Sequence, residues 1–279
     1  MVLKSYAKIN LSLYVYKKLK SGFHNIYTIY SLINLHDKIY VKKIKNQRSD
    51  KISFIGPFSK HVSRENNSII KILDAMRKNN LIEGFYSIKV RKQIPGFSGF
   101  GGGTSNAAFL LKYLSKKKIE KKIFSKLTKA VGTDLALFFY NQGCQENLKF
   151  VSELYKKYKL YFLTVFPMIK SSTKKVYLRV TKYSKPKILL KKNLSSRKNF
   201  INYLEVSKND LQLIVEKQHP AIRKLLLNIK SSNGCYFSRM TGSGSVCYGL
   251  FKDKYSSKVA LQKLRKKYPK FWFSIAKTI

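Results

Sequence analysis

One stretch in the middle of the chain, Ile94-Pro95-Gly96-Phe97-Ser98-Gly99-Phe100-Gly101-Gly102-Gly103-Thr104-Ser105-Asn106-Ala107-Ala108, crowds glycines into a loop, adds hydroxyls and runs at once into a helix-forming segment ending at Leu114. The alternating Tyr86-Ser87-Ile88-Lys89-Val90 ahead of it reads as a strand. The order is therefore strand, glycine loop, helix start. Glycine lets backbone approach a ligand closely and take positive φ. A helix N-terminus offers unpaired N–H groups and partial positive charge. Together they make a phosphate cradle. It is not the Walker cradle, because no lysine follows the glycines, and Thr104 stands where the dinucleotide fingerprint needs its third glycine. Standing alone, such a loop also reads as a flexible turn.

Other segments supply groups that phosphate transfer needs. Thr104 and Ser105 offer hydroxyls to phosphate oxygens or to a magnesium ion. Asp134 is a lone acid in an apolar setting, two residues after Gly132. Lys8 lies in an otherwise apolar, strand-like run, and Gly242-Ser243-Gly244-Ser245 is a second turn of small residues. Each has a plainer reading: Asp134 as a helix cap, Lys8 as a surface lysine, the two glycines as a hairpin.

Composition narrows the class. With 279 residues the chain is long enough for one large domain or two smaller ones. It carries 57 basic and 13 acidic residues, a net charge of +44, which raises nucleic acid as a partner. The lysines are spread along the whole chain, as at Lys17-Lys18, Lys42-Lys43, Lys156-Lys157, Lys191-Lys192 and Lys266-Lys267, and arginine, the preferred base reader, is scarce. Lys, Ile, Asn, Tyr and Phe are abundant together, as A+T-rich codons would give. The charge then reads as a solvated surface, with no specific nucleic-acid partner expected and only salt-sensitive nonspecific binding. Acids, being rare, are informative, as are His24, His36, His61 and His219. Cys144, Cys235 and Cys247 are scattered, which points to reduced thiols and excludes a disulfide frame or zinc site. No apolar run reaches spanning length and the N-terminus lacks a signal core, so the expectation is a cytoplasmic protein without a membrane partner.

Around these groups the pattern predicts strands at 7–15, 26–35 and 38–44, a helix over 68–79 with Asn67 as N-cap, a strand at 86–90, and helices over 106–114 and 120–130. Periodicity loosens at 145–160. Beyond it come a strand at 160–166, a helix over 172–180 capped by Ser171 or Ser172, and a weakly periodic lysine-rich stretch at 181–208. Asn209-Asp210-Leu211 caps a helix and Pro220 starts another; strand, glycine turn and strand span 237–251, followed by a helix over 258–268 and a strand at 271–275. This mixture is an α+β chain in two halves, divided as 1–155 and 156–279.

Taken together, Ala7-Lys8-Ile9-Asn10-Leu11, Pro95 to Ala108 and Met240-Thr241-Gly242-Ser243-Gly244 match in order the three motifs of the GHMP kinases (galactokinase, homoserine kinase, mevalonate kinase, phosphomevalonate kinase), and over nearly its whole length the chain resembles that superfamily. Gly22-Phe23-His24 with Thr28, the triple glycine 101–103, Gly132-Thr133-Asp134 and Asn209-Asp210-Leu211 resemble its diphosphocytidyl-methylerythritol kinase branch, in the non-mevalonate route to isopentenyl diphosphate. The resemblance implies a two-domain fold, the N-terminal half like domain 2 of ribosomal protein S5 and the C-terminal half ferredoxin-like. It implies an ATP- and Mg2+-dependent kinase of the methylerythritol 2-hydroxyl, acting as monomer or homodimer. The carboxylate of Asp134 would take the hydroxyl proton, and Lys8 would orient that carboxylate and offset charge on the transferring phosphoryl group. Pro95, Gly96, Phe97, Ser98, Gly99, Phe100, Gly101, Gly102, Gly103, Thr104 and Ser105 would bind ATP, with Thr104 or Ser105 near the magnesium. Asn10, Phe23, His24, Tyr30, Thr173, Tyr177, Gly242, Ser243 and Gly244 would bind substrate, His24 reading the base edge and Tyr30 and Tyr177 bracketing the ring. Departures from the family pattern are Phe100 for leucine, Thr104 for serine, Ala136 for proline, Phe23 for tyrosine, and a shortened segment after Tyr140. Two other functions stay open: a related kinase of homoserine or mevalonate, and an inactive nucleic-acid-binding derivative of the fold.

Overall fold

The computed structural model describes residues 1–115 and 118–279. In chain order its elements are β1 (Val2–Asn10), β2 (Tyr14–Lys18), β3 (His24–Ile44), β4 (Lys51–Ile55), α1 (Ser68–Lys78), β5 (Phe85–Arg91), α2 (Gly102–Leu114) and α3 (Lys121–Val131), then a 3₁₀ turn (Thr133–Phe139). After these follow β6 (Gln142–Gln145), β7 (Val151–Glu153), β8 (Tyr161–Phe166), α4 (Thr173–Tyr177), α5 (Arg197–Glu205), α6 (Gln212–Gln218), α7 (Pro220–Lys230), β9 (Cys235–Met240), β10 (Cys247–Phe251), α8 (Lys254–Lys267) and β11 (Trp272–Lys277). Two compact units result: Met1–Lys8, Leu35–Gly96 and Gly101–Phe139 form one, and Ile9–Asn34, Phe97–Phe100 and Tyr140–Ile279 the other.

In the first unit the later half of β3 pairs antiparallel with β5, from Lys38 opposite Arg91 to Ile44 opposite Phe85, and β4 adds to β5 in parallel. Ile39, Val41, Ile88 and Val90 are buried from these strands. Ile69, Ile72, Leu73 and Met76 recur at helical spacing and form the buried stripe of α1. Asn67 caps that helix as expected, its side chain accepting from the amides of Ile69 at 3.0 Å and Ile70 at 3.1 Å. Helix α2 begins four residues earlier than its periodicity suggests, because Gly101 enters it with φ +71° and leaves Gly102 and Gly103 as its first turn.

In the second unit the order β11-β8-β10-β9 makes an antiparallel sheet. Leu163, Val165, Cys247, Phe251 and Phe273 from the sheet bury against Ile222, Leu225, Leu226 and Ile229 of α7 and Ala260 and Leu264 of α8. Pro220 opens α7 as read from sequence. Helix α8 starts earlier than expected because Asp253 caps it, accepting from Ser256 N at 2.7 Å. The lysine-rich stretch contains a helix that periodicity did not reveal, α5, capped by Ser196.

Two strand expectations need correction. The run at 7–15 is not one strand: the amides of Leu11 and Ser12 both donate to Ile29 O, at 2.7 and 3.2 Å, and this doubled pairing breaks the ladder between β1 and β2. Conversely, 26–35 and 38–44 belong to one continuous strand of 21 residues. His36-Asp37 looked like an interruption, yet Asp37 turns inward and is fully buried.

Candidate functional site

Lys8 and Asp134 meet within the first unit. Lys8 is flanked by the fully buried Ala7, its stem is covered, and its Nζ lies 3.1 Å from Asp134 Oδ2. The lysine side chain is 5% exposed and the aspartate 35%, so the pair has one open edge, on the acid. Gly101 is required beside them. A Cβ there would stand 2.9 Å from Phe138 Cζ and 3.4 Å from Lys8 Cε, and its φ of +71° disfavours other residues. Asp134 projects from the first turn of the 3₁₀ segment, just after Gly132 at φ +139°.

Lys8 thus lies against the residue that opens α2. The first amide to bond back within that helix is Ser105 N, to Gly101 O at 2.8 Å. The amides of Gly102, Gly103 and Thr104 are the open donors of its first turn. An anion placed there gains the helix dipole and Lys8 together. The two hydroxyls read as alternatives differ in access. Ser105 is fully buried, its Oγ donating to Tyr6 O at 2.6 Å and standing 2.7 Å from Ser5 Oγ. Thr104 is partly exposed.

A second Lys–Asp pair, absent from the sequence reading, lies under the loop. Asp37 and Lys92 are hydrogen-bonded to each other, 0% and 5% exposed at their side chains, and Asn106 bonds both of them, at 3.0 and 2.9 Å. The scarcity of acids is the signal that could have drawn attention to Asp37. Its position inside a strand, next to a lysine in a lysine-rich sequence, hid its role. Pro95 is buried, and the amide of Gly96 donates to His61 Nδ1 at 3.2 Å.

The second unit assembles the remaining motif residues. Asn10 is buried and its amide group donates to Thr28 Oγ1 at 2.9 Å, while its backbone N donates to Thr241 Oγ1 at 3.0 Å. Gly99 and the late glycine turn touch backbone to backbone. A Cβ on Gly99 would sit 2.1 Å from Thr241 O, and one on Gly244 would sit 2.1 Å from Gly99 N. Ser98 is buried with its carbonyl accepting from Val246 N at 3.2 Å, and Phe100 is buried edge-on to Trp272. Phe97 is exposed at φ +57°. Ser243 accepts at its carbonyl from Ser171 Oγ at 2.6 Å and meets the exposed Thr173 through hydroxyls 2.8 Å apart. Gly242 is close to Asn10, a Cβ there coming 3.3 Å from Asn10 Oδ1. Asn209 holds the same turn, donating to the carbonyls of Met240 at 2.8 Å and Gly242 at 2.9 Å.

His24 stands at the start of β3 with its ring 5.3 Å from Tyr177 and 6.2 Å from Tyr183, centroid to centroid, at interplanar angles of 32° and 28°. Burial, and secondarily the nearby Lys18 charge, hold its pKa below the usual histidine value, so the imidazole is neutral at pH 7. Neighbouring Phe23 is 58% exposed. Tyr30 is elsewhere: it is fully buried, opposite Gly143 in the β3–β6 ladder. Tyr183, not singled out from sequence, is the second ring beside His24. Asp210 and β2 set the backbone there, with Ser184 Oγ donating to Asp210 Oδ1 at 3.0 Å and Ser184 N to Val15 O at 2.9 Å.

Among the described residues no group of three or more His, Cys, Asp or Glu side chains could hold a metal, and no helix is long and apolar enough to cross a membrane.

Comparison with known proteins gives the chain's family. Residues 188–270 match the family described as GHMP kinases C terminal. A 4-diphosphocytidyl-2-C-methyl-D-erythritol kinase of Pelagibacter ubique is 35% identical, over 99% of this chain and 98% of that protein. One from Wolbachia pipientis wMel is 29% identical over 96% and 95%. Among solved structures, a 4-(cytidine 5'-diphospho)-2C-methyl-D-erythritol kinase superposes with TM-score 0.76 at 22% identity over 99% of both chains. Homoserine kinase from Cytophaga hutchinsonii gives 0.69 at 16% identity, over 100% of this chain and 93% of that one. These solved structures share the fold, an N-terminal and a C-terminal sheet domain, and the Pelagibacter relative shows the kinship: the chain belongs to the GHMP kinase superfamily of small-molecule kinases.

Proposed function

We propose that this chain transfers the γ-phosphoryl group of ATP to the 2-hydroxyl of 4-diphosphocytidyl-2-C-methyl-D-erythritol, a step toward isopentenyl diphosphate by the non-mevalonate route. The observation that carries the reading is the Lys8–Asp134 pair, 3.1 Å apart and beside the residue that opens α2. Phosphoryl transfer to an alcohol needs anion binding, charge compensation and a base, and little else from the protein. The open amides of α2 hold phosphate oxygens, the Lys8 ammonium offsets their charge, and the exposed edge of Asp134 accepts the proton of the attacking hydroxyl. Magnesium suits this site. It takes most of its ligands from phosphates and water, so the single protein oxygen it needs is available from Thr104. Ser105, committed to Tyr6 and Ser5, serves the fold.

In this reading the remaining loop residues 95–100 bind ATP, and Gly242, Ser243 and Gly244 bind the substrate. For the cytidyl half, His24 in neutral form presents one ring nitrogen as donor and one as acceptor, which suits a cytosine edge. On the same reading Phe23, Tyr177 and Thr173 contact the base and Asn10 the acceptor alcohol, while Tyr30, fully buried opposite Gly143, is not placed to bracket the ring. The names carried by the relatives support this choice of substrate. The N-terminal half is then of the ribosomal-protein-S5 type and carries nucleotide and catalysis, and the C-terminal half is ferredoxin-like, which the strand order β11-β8-β10-β9 suits. The compact units depart from a single cut between 155 and 156, since Ile9–Asn34, Phe97–Phe100 and the residues from Tyr140 on group together. The protein acts in the cytoplasm on small molecules.

The test is turnover by purified protein with ATP, Mg2+ and a panel of alcohols. Phosphorylation of the cytidyl compound and neglect of homoserine and mevalonate is the expected result. Turnover of homoserine or mevalonate in its place overturns the substrate. No turnover of any alcohol, with tight RNA binding at physiological salt, overturns the enzyme.

A further inference from the structure

We infer that Asp37 is a positioning residue that fixes both ends of the phosphate-binding loop in the first unit. The inference rests on reading the α2 N-terminus as the ATP cradle. Asp37 is fully buried and its two oxygens have four partners. Oδ1 accepts from the backbone amides of Gln93 at 2.7 Å and Ile94 at 2.9 Å. Oδ2 accepts from Lys92 Nζ and from Asn106 Nδ2, the latter at 3.0 Å. Gln93 and Ile94 lead directly into Pro95 and Gly96, and Asn106 lies in the second turn of α2. One carboxylate therefore ties the segment entering the glycine loop to the helix leaving it.

The network continues toward the catalytic lysine. Asn106 Nδ2 also donates to Ser5 Oγ at 2.9 Å, Ser5 meets Ser105 Oγ at 2.7 Å, and Ser105 donates to Tyr6 O on β1, two residues before Lys8. Lys92 supplies the balancing charge, and its Nζ would lie 3.6 Å from a Cβ on Gly102. A glycine loop has little stiffness of its own, so its geometry is set where it is anchored. A buried ion pair serving the fold alone could sit anywhere in the core. In this pair, three of the carboxylate's four partners belong to the entry and exit of the cradle, and the fourth adjoins Gln93.

The experiment compares the parent chain with Asp37→Asn and with the exchange variant Asp37→Asn/Asn106→Asp. It reads ATP affinity by direct titration, Michaelis constants for ATP and for the alcohol, melting temperature, and hydrogen exchange at Gln93 and Ile94. In Asp37→Asn the two loop amides lose a charge-assisted acceptor, so ATP affinity falls about 10-fold. The alcohol constant moves less than about 2-fold, and exchange at both amides rises. A lower melting temperature with parental ATP affinity and exchange overturns the inference and leaves Asp37 a fold staple. Should the single variant not fold, the exchange variant decides, because it returns a carboxylate to Lys92 while the loop amides still face a neutral group. Weakened ATP binding there supports positioning, and parental binding overturns it. A parent chain that binds no ATP overturns the kinase reading and this inference together, a result distinct from a variant that matches a binding parent.

Discussion

Among the described residues the first unit holds two Lys–Asp pairs of the same chemistry and opposite design. Lys92–Asp37 is closed: the acid is fully buried and accepts from a side-chain ammonium, a carboxamide and two backbone amides. Lys8–Asp134 is open: the lysine is as buried as its counterpart, but the acid keeps about a third of its surface exposed. A carboxylate whose lone pairs are all committed can hold backbone in place and has no capacity left to take a proton. One with an uncommitted, reachable edge can accept a proton from a substrate hydroxyl. Accessibility of the acid, more than the identity of the pair, separates anchoring from chemistry here.

The comparison breaks most easily at Asp134. Asp134→Asn keeps an oxygen to accept from Lys8 and removes the base, so turnover is expected to fall by at least ~100-fold with ATP affinity nearly unchanged. Steady-state rates and a nucleotide titration measure both, and parental turnover in this variant removes the acid from the mechanism. The same lysine substitution made at both pairs sharpens the contrast. Lys92→Met strands a buried, hydrogen-bonded carboxylate without its countercharge, a loss of about 3–5 kcal/mol of stability. Lys8→Met leaves an acid that water reaches. Its melting temperature should stay near the parent's, while kcat/KM drops by about 10-fold or more with the lost charge-assisted contact. Thermal melts and kinetics on both variants check this; equal destabilisation would erase the distinction between open and closed pairs.

Sequence disclosed the open pair and concealed the closed one, and the cause is physical. Lys8, Asp134 and the glycine loop sit in local patterns that stand out from their surroundings: a lysine among apolar strand residues, an acid after glycine, glycines before a helix. Asp37 is recognisable only through partners distant in the chain, since Asn106 and the amides of Gln93 and Ile94 come to it by tertiary folding. Element type was read well where one face is buried, as in α1 and α7. It failed where backbone pairing overrides pattern: Leu11 and Ser12 sharing Ile29 O divide an alternating run, and α5 lies in a stretch where lysines blur the helical period. Asn209-Asp210-Leu211 looked like a helix cap, and Leu211 N does bond Asn209 Oδ1 at 3.0 Å. Its larger role, bracing the Gly242 turn and β2 through side chains, needed the fold to be seen.

The adjacent hydroxyls at the start of α2 repeat the contrast on a smaller scale. Ser105 is closed against Tyr6 O and Ser5, so Ser105→Ala leaves two buried polar groups short of a partner and costs about 1–3 kcal/mol of stability. Its kinetic constants should match the parent's. Thr104→Val keeps shape and removes the reachable oxygen, and is expected to raise the apparent KM for MgATP about 3- to 10-fold, at unchanged melting temperature. Denaturant melts alongside ATP titrations at several magnesium concentrations test the pair. If Ser105→Ala carries the kinetic effect, the buried hydroxyl is the ligand and α2 must rearrange to bind.

The smallest expected effect tests the second unit in the same terms. His24 is enclosed by Tyr177 and Tyr183, and burial with the Lys18 charge keeps its pKa below the usual value near 6.5. A depressed histidine pKa means that the unfolded chain binds the proton more readily than the folded one. The stability linked to His24 is therefore complete above about pH 6.5 and is lost as pH falls through the lower folded value. Affinity for the cytidyl substrate should follow the same course: flat from pH 7 to 8.5, weakening several-fold on further acidification as the ring loses its acceptor nitrogen. His24→Asn should flatten that acid limb, and ATP affinity should lack its His24-dependent part. A limb that survives in His24→Asn places the titrating group elsewhere. The open edge in this unit would then belong to the exposed Phe23 or to Tyr183, and recognition of the base would rest on stacking in place of hydrogen bonds.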